Sequence, residues 1–490
     1  MDSPVKIPFK SFIKIDKKAT TPIYLQVVFE FIKAIQMGWL PEGTKLPGTR
    51  ILSEILDLNR NTLIKSFNDL ESQGFIEIRP NKGTFVLSTF VKSKPVISNQ
   101  NTGKKLKEIR FKKSTLLESP IETSNLPLQF NEGFPDSRII HSDVLAKIYL
   151  SQLKREKHRK QDTLNPIIHA EFKRTIANYL NLTRGINKEA SNLLTTNSHE
   201  LALFVLIKAL IESGNRVAII HPGYYLSNMV FADAGAEILP IPLDEEGLDL
   251  NYLLRVLEQS PIRIFYLNSN YHFPTTKILS AKRKIELLEL SRKYDFIILE
   301  DDYDYDFHFD SHAVLPLAAM AASERVIYVG SISRTLPPGF GFGFIASTPE
   351  LIKELSKHQK LIEPNSDLLK ESVLIEWINE GEIHRSDKKN RKIYKDRRDY
   401  FIQLLNLNFK NKIEFEIPTC GLGIWIEWKV KFNLVKFKKE CAKQGLFIPS
   451  HLLFQDRYRT ATRLGFGNFN KEEMDKVFSI LKKSLANLTA

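Results

Sequence analysis

Ser331, Ser333 and Arg334, within the run Val326–Phe344 (VIYVGSISRTLPPGFGFGF), are the residues whose types and spacing point most directly to chemistry. The free backbone N–H groups of a Gly-Ser-x-Ser turn and its two hydroxyls suit an anion such as phosphate. Arg334 follows directly, and a guanidinium grips a carboxylate or phosphate but stays protonated and is a poor nucleophile. Upstream, in Glu300-Asp301-Asp302-Tyr303-Asp304, a carboxylate at Asp301 can hold a pyridine nitrogen protonated, and Tyr303 can donate to a phenolic oxygen. Ser198 opens the apolar helix Leu201–Ile211 and adds a hydroxyl beside the positive end of a helix dipole. No metal site is expected. A calcium loop counted from Asp302 needs glycine at its sixth position and glutamate at its twelfth, where Phe307 and Ala313 stand.

The elements that must position these groups alternate between β-prone runs and amphipathic helices from about Phe130 onward. Strands are expected at Arg216–Ile220, Ala236–Pro240, Arg263–Leu267, Phe296–Glu300 and Val326–Val329. Such βα alternation predicts an α/β fold with a mostly parallel sheet covered by helices, and with ligand groups at the strand ends. The motifs fall at those ends.

Residues Thr21–Ser88 read as a separate unit of three helices and a hairpin. Tyr24, Val27, Val28, Phe31 and Ile35 repeat at helical spacing up to Gly38. Thr49 is the expected cap of a second short helix, Ile51–Leu58. Asn61–Gln73 forms a third, with Leu63, Ile64, Phe67 and Leu70 facing inward and Asn61, Thr62, Lys65 and Ser66 facing outward near its start. Phe75–Ile78 and Thr84–Leu87 flank a basic turn and make a hairpin. The pattern is that of a winged helix-turn-helix, whose third helix presents polar side chains to a DNA groove.

Both halves carry specific resemblances. Leu46-Pro-Gly-Thr-Arg50, Asn59-Arg-Asn-Thr62, Leu70-Glu-Ser-Gln-Gly74 and Asn81-Lys-Gly-Thr-Phe85 resemble, in order and spacing, the blocks of the GntR-type DNA-binding domain. The resemblance implies DNA contacts at Arg50, Arg60, Asn61, Thr62, Lys65, Lys82 and Gly83. In the second half, His221-Pro-Gly-Tyr224, Asn270-Tyr-His-Phe-Pro-Thr-Thr276, Glu300–Asp304 and Ser331–Gly339 resemble the successive motifs of the fold-type I pyridoxal phosphate enzymes. Together the chain resembles the MocR family of transcription regulators, a GntR-type reader fused to an aminotransferase-like domain. That implies a pyridoxal 5'-phosphate pocket at Ser198, Tyr224, Asp301, Tyr303, Ser331, Ser333 and Arg334, with Arg463 for a substrate carboxylate and Arg459 as its rival. It also implies a head-to-tail homodimer and a small-molecule effector.

The resemblance is imperfect where the cofactor would attach. The family's covalent lysine falls on Arg334, which cannot form an internal aldimine, and its second phosphate cation falls on Gly341. Its glycine-rich turn reads Thr195-Thr-Asn-Ser198, and its P-x-G reads Pro166-Ile-Ile168. Covalent cofactor attachment is therefore not expected, while non-covalent grip of a phosphate, a carboxylate or the cofactor itself by Arg334 stays open, and the remaining pocket residues are read as a remnant site with no catalytic residue. The competing reading is a working aminotransferase with a fused reader, which needs another lysine; Lys277 is the one candidate near these loops.

Composition bounds the rest. The chain has 490 residues, 43% of them apolar, enough for more than one core. Its two cysteines, Cys420 and Cys441, make neither a disulfide framework nor a zinc site, and nothing resembles an export signal or a membrane span. A cytoplasmic location is expected. The net charge of +13 favours an anionic partner, and double-stranded DNA is the one the motifs specify. The expected division is a winged helix over 21–88, a basic flexible linker over 89–129 with Lys92, Lys104, Lys105 and Lys107, and an aminotransferase-like domain over 130–490.

Overall fold

The computed structural model describes residues 8–87, 113–140, 142–156, 161–309, 315–320 and 325–489. The chain divides into two compact units, Met1–Phe111 and Lys112–Ala490.

In the first unit, α1 (Phe9–Phe12) precedes α2 (Ile23–Gln36), β1 (Lys45–Leu46), α3 (Thr49–Leu56), α4 (Arg60–Ser72), β2 (Ile76–Arg79) and β3 (Gly83–Val86). The strands pair antiparallel in the order β1-β3-β2, which completes a winged helix-turn-helix. Val27, Val28 and Phe31 of α2 pack with Leu52 of α3 and Leu63, Phe67 and Leu70 of α4 in one core. Phe31 and Phe67 meet edge to face at 5.7 Å. That core reaches upstream of Thr21, since Phe9 and Ile13 are buried in it. The cap of α3 is Gly48, one residue earlier than expected, with Thr49 as its first helical residue. Ile64, expected inside, is 37% exposed, because the inward stripe of α4 runs through Leu63, Ser66, Phe67 and Leu70 and position 64 lies a helical step beyond it.

The second unit opens with β4 (Leu128–Gln129), α5 (Asp143–Glu156) and α6 (Gln161–Arg184). There follow β5 (Leu193–Thr196), α7 (His199–Leu210), β6 (Arg216–His221), α8 (Tyr225–Asp233), β7 (Glu237–Pro242), α9 (Leu250–Gln259) and β8 (Ile264–Leu267). Next come α10 (Ala281–Tyr294), β9 (Ile297–Asp302), α11 (Leu317–Met320), β10 (Val326–Ile332), β11 (Phe342–Ala346), α12 (Pro349–Ile362), α13 (Leu368–Asn379) and α14 (Glu382–Phe409). The seven-stranded sheet has the order β5-β11-β10-β9-β8-β6-β7. It is parallel from β10 through β7, and β11 runs antiparallel to both its neighbours. Helices cover both faces, with one core built on α6, α9, α10 and α13 and another on α7 and α12. All five expected strands are present, with ends that differ by one to three residues.

A smaller lobe closes the chain: β12 (Ile413–Glu414), β13 (Gly423–Trp428), α15 (Leu434–Lys443), β14 (Leu446–Phe447), β15 (Leu453–Gln455), β16 (Thr460–Gly465) and α16 (Lys471–Thr489). Its antiparallel sheet has the order β12-β13-β16-β15, and its core is rich in aromatics such as Phe401, Trp428 and Phe478. Residues 113–129, assigned to the linker from sequence, belong to this second unit, where β4 pairs with β14 and Glu122 accepts from the N–H of Ser450 at 2.9 Å. The basic stretch 88–112 lies outside the described residues.

Candidate functional site

In the first unit the polar face of α4 is set by its cap. The Asn59 side chain accepts from the N–H of Asn61 at 2.9 Å, so the helix starts at Arg60 with that residue in solvent. Arg50, Arg60, Asn61, Lys65, Lys82 and Gly83 are exposed, and Thr62 is half-buried. The Lys65 ammonium lies 3.7 Å from the Tyr24 ring centroid, a cation–π contact that orients it at the start of α2. At the wing tip Asn81 and Gly83 take φ values of +60° and +112°, which lets the β2–β3 turn close with Lys82 projecting. Ser66 departs from expectation: it is fully buried, with its Oγ 3.0 Å from the Tyr24 carbonyl and 2.9 Å from that of Thr62. It fastens α4 to α2 instead of facing outward. Guanidinium, amide and ammonium groups at the start of an exposed helix, beside a basic wing, can hydrogen-bond base edges and phosphates.

In the second unit a pocket of about 360 Å³ opens where the carboxyl ends of β9 and β10 meet the start of α7. Seven of the eight expected ligand residues line it: Ser198, Tyr224, Asp301, Tyr303, Ser331, Ser333 and Arg334. Glu132, Phe134, Asn197, His199, Glu200, Phe273, Pro337, Pro338, Gly339 and Gly341 complete the wall. Ser198 caps α7 by accepting from the N–H of Leu201 at 3.2 Å, so its own proton remains to donate.

Asp301 is held from two sides. His199 Nε2 lies 2.7 Å from Oδ1, and the Tyr266 hydroxyl donates to Oδ2 at 2.5 Å. Burial works against the His199 imidazolium, but the adjoining carboxylate overrides it and holds the pKa above its ordinary value. Burial pushes the Tyr224 and Tyr303 phenols well up, so both stay neutral. The Tyr303 Oη is buried and has no hydrogen-bond partner among the described residues.

Arg334 is fixed at one end and open at the other. Its Nη1 donates to the Gly133 carbonyl at 2.7 Å and lies 3.0 Å from Asp304 Oδ1. That ion pair is off the hydrogen-bonding axis, leaving both buried Asp304 oxygens without a donor among the described residues. The guanidinium stacks 4.6 Å from the Phe134 centroid and 5.2 Å from that of Tyr303. Burial raises the Asp304 pKa, and the charges of Arg334 and Arg463 pull it back.

Arg463, the eighth expected residue, is not in the pocket wall. It is fully buried, with Nε donating to the Glu132 carbonyl at 2.9 Å, Nη1 to that of Pro274 at 2.9 Å and Nη2 to Tyr271 Oη at 3.1 Å. Three of its five N–H groups tie β16 to the segments at Glu132 and Tyr271–Pro274, and its complete burial keeps it out of the pocket wall. Arg459 points elsewhere, 3.8 Å from Glu427. Lys277 also lies off the pocket, donating to the Asp244 carbonyl at 3.1 Å and facing Glu416 at 3.7 Å. The residues that sequence reasoning missed are His199, Glu200, Glu132, Phe134 and Phe273. Phe273 stood within a quoted motif, but Glu132 and Phe134 come from a segment some 170 residues before β9, and no local pattern marks them.

Comparison with known proteins bears on both units. The profile of the class I and II aminotransferases matches residues 129–480, and that of the gntR family of bacterial regulatory proteins matches residues 23–86. Over 97% of its length the chain is 24% identical to a Bacillus subtilis protein named as an uncharacterized HTH-type transcriptional regulator, YhdI, of which 98% is covered. It is 25% identical, again over 97% of its length, to the probable rhizopine catabolism regulatory protein MocR of Rhizobium meliloti, of which 96% is covered. Among solved structures, kynurenine aminotransferase of Pyrococcus horikoshii, in complex with PMP, superposes with a TM-score of 0.66 at 20% identity, covering 74% of this chain and 92% of that one. LysN, the α-aminoadipate aminotransferase of Thermus thermophilus, gives 0.65 at 20% identity, with 74% and 93% covered.

Proposed function

The chain belongs to the class I and II aminotransferase family, and from that premise we propose that it is a DNA-binding transcription regulator of the MocR/GntR type. In this reading the winged helix binds duplex DNA through Arg50, Arg60, Asn61, Thr62, Lys65, Lys82 and Gly83. The aminotransferase-like unit dimerises the protein and senses a small effector. The observation that carries the reading is the exposed cationic and amide face of α4 and the β2–β3 wing, in a chain that aligns over nearly its whole length with proteins named as HTH-type regulators. A homodimer would place two readers on spaced half-sites. Full-length protein should shift duplex DNA from its own upstream region, and Arg50→Ala or Lys65→Ala should abolish the shifted band. Unchanged binding by both variants would sink the assignment.

In the family the fold serves pyridoxal phosphate, and the residues here do not fit that group. Among the described residues no lysine lines the pocket. In our reading Arg334 stands at the family's lysine position, where a guanidinium cannot condense with an aldehyde. At Gly341 a Cβ would lie 2.7 Å from that of Ser333, so the loop is closed against the cation that a phosphate would need. We therefore assign no catalytic residue and route no chemistry through the cofactor.

What the pocket supports is non-covalent capture of a small acid. The open edge of Arg334 with the Ser331 and Ser333 hydroxyls forms an anion end, and the unpartnered Tyr303 Oη is a ready donor beside it. A thermal-shift screen with amino and organic acids should raise the melting temperature of the parent, and Arg334→Gln should lose the response. A yellow protein that retains pyridoxal phosphate through borohydride trapping would overturn this reading.

A further inference from the structure

We infer that the segment Lys10–Lys18 is a second, phosphate-contacting edge of the DNA surface, lying outside the GntR-type match that begins at residue 23. The inference rests on the DNA-binding reading above. Two anchors fix the segment against the winged helix. Phe9 and Ile13 are buried in the core, with the Phe9 ring 6.2 Å from Phe31 and the Phe12 ring 5.7 Å from Trp39. Beyond them the chain turns at Asp16, whose N–H donates to Gln26 Oε1 at 2.9 Å and whose carbonyl accepts from Gln26 Nε2 at 3.0 Å. Gln26 is in the first turn of α2, as is Tyr24, over whose ring Lys65 of α4 sits at 3.7 Å.

On the other side Lys17 Nζ lies 3.3 Å from Asp57, two residues before the Asn59 cap of α4. The segment therefore runs from Trp39, just past the end of α2, back to the start of α2 at Gln26, and its last residues reach the turn that launches α4, which puts Lys17 and Lys18 at the border of the proposed DNA surface. Lys10, Lys14, Lys17 and Lys18 are all exposed, and Asp16 is the one acid among them, its Oδ1 taken by the N–H of Lys18 at 2.8 Å. The Lys17–Asp57 pair is 64% and 90% exposed, so a phosphate at that border displaces it at little cost. A backbone pinned at two points with its ammonium groups in solvent suits phosphate contact, which is blind to base sequence.

The test uses the full-length chain with Lys14→Gln, Lys17→Gln and Lys18→Gln combined, and a mixed-sequence duplex of about 30 base pairs. Binding is followed by fluorescence anisotropy from about 50 to 200 mM salt. Each phosphate contact contributes about 0.9 to the slope of log K against log salt, so the triple variant should be shallower than the parent by about 1 to 3. An arginine triple at the same positions should keep the parent slope, which separates lost charge from a folding defect. A slope within about 0.5 of the parent's, while Arg60→Ala weakens binding, overturns the inference and leaves the DNA reading standing. Parent-like binding by both overturns the DNA reading itself.

Discussion

The buried pair of Arg334 and Asp304 gives the sharpest quantitative expectation. Asp304 has no exposed side-chain surface and Arg334 has 15%, with 3.0 Å between Nη1 and Oδ1. Arg334→Gln leaves the carboxylate buried without its cation, and breaking such a pair from one side costs about 3 to 5 kcal/mol. For a unit of this size that lowers the melting temperature by about 4 to 6 °C. The double variant Arg334→Gln, Asp304→Asn should recover most of the loss, because a pair removed together costs far less than one partner removed alone. The deficit should also depend on pH. Burial raises the Asp304 pKa in the folded protein, and Arg334 opposes that rise, so removing Arg334 raises it further. A raised carboxylate favours the folded state least once the group must ionise. The deficit of Arg334→Gln should be full at pH 8 and shrink as the pH falls through the raised value. Calorimetry on the parent, the two single variants and the double variant at pH 8 and pH 5 reads the cycle. If Arg334→Gln cost as much in the Asp304→Asn background as in the parent, the claim that Arg334 compensates this carboxylate would be refuted.

Three further outcomes follow from individual side chains. Tyr303→Phe removes a buried hydroxyl that has no partner among the described residues, so the melting temperature should hold or rise slightly while the thermal-shift response to acids is lost. Burial lifts the Asp302 pKa to about 7, so the folded state binds its proton more tightly and is progressively disfavoured from the ordinary carboxylate range up to about pH 7; Asp302→Asn, which still accepts from Tyr328, should gain stability relative to the parent across that window and level off above it. Asn59→Ala deletes the cap of α4 and should cost about 1 kcal/mol in urea unfolding, with weaker DNA binding because the same cap orients Arg60 and Asn61.

The sequence carried the winged helix and the parallel half of the sheet because both are written in local periodicity. Arg216–His221, Ile264–Leu267 and Val326–Ile332 are short apolar runs between turn signals, and α4 has a clean apolar stripe. β5 and β11 escape such a reading: Leu193–Thr196 ends in two threonines and continues straight into α7, and Phe342–Ala346 follows a Pro-Gly loop that hides its start. Ser66 misleads because a serine on a helix looks like surface, whereas here its hydroxyl meets the Tyr24 carbonyl 42 residues away. The N-terminal anchor is illegible because Phe9 and Ile13 form too short a pattern to register before the helix they pack on is known. His199 is invisible for a related reason: its partner, Asp301, is brought beside it only by the sheet.

The presence of Asp301 and Arg463 is not by itself a sign of chemistry, because both have a structural duty in the fold. Asp301 holds His199 and Tyr266, and its backbone carbonyl accepts from Asn268 at 2.9 Å. Arg463 spends its fork on two carbonyls and a tyrosine, tying β16 to the segments at Glu132 and Pro274. Truncating either leaves buried polar groups without partners, at about 1 to 3 kcal/mol apiece, so both would persist in a protein that no longer turned over substrate. Arg334 and Gly341, which in our reading stand where the family carries its cations, differ from these: the first contacts Gly133, Asp304 and Phe134, and at the second a Cβ would lie 2.7 Å from that of Ser333. A residue freed from its chemistry is kept where the scaffold leans on it and drifts where it does not. On that argument, placing lysine at position 334 alone should not confer transamination, because the close approach of Gly341 to Ser333 would still oppose the phosphate. Keto-acid production by Arg334→Lys, measured with pyridoxal phosphate and a panel of amino donors, would show instead that the guanidinium was the one obstacle.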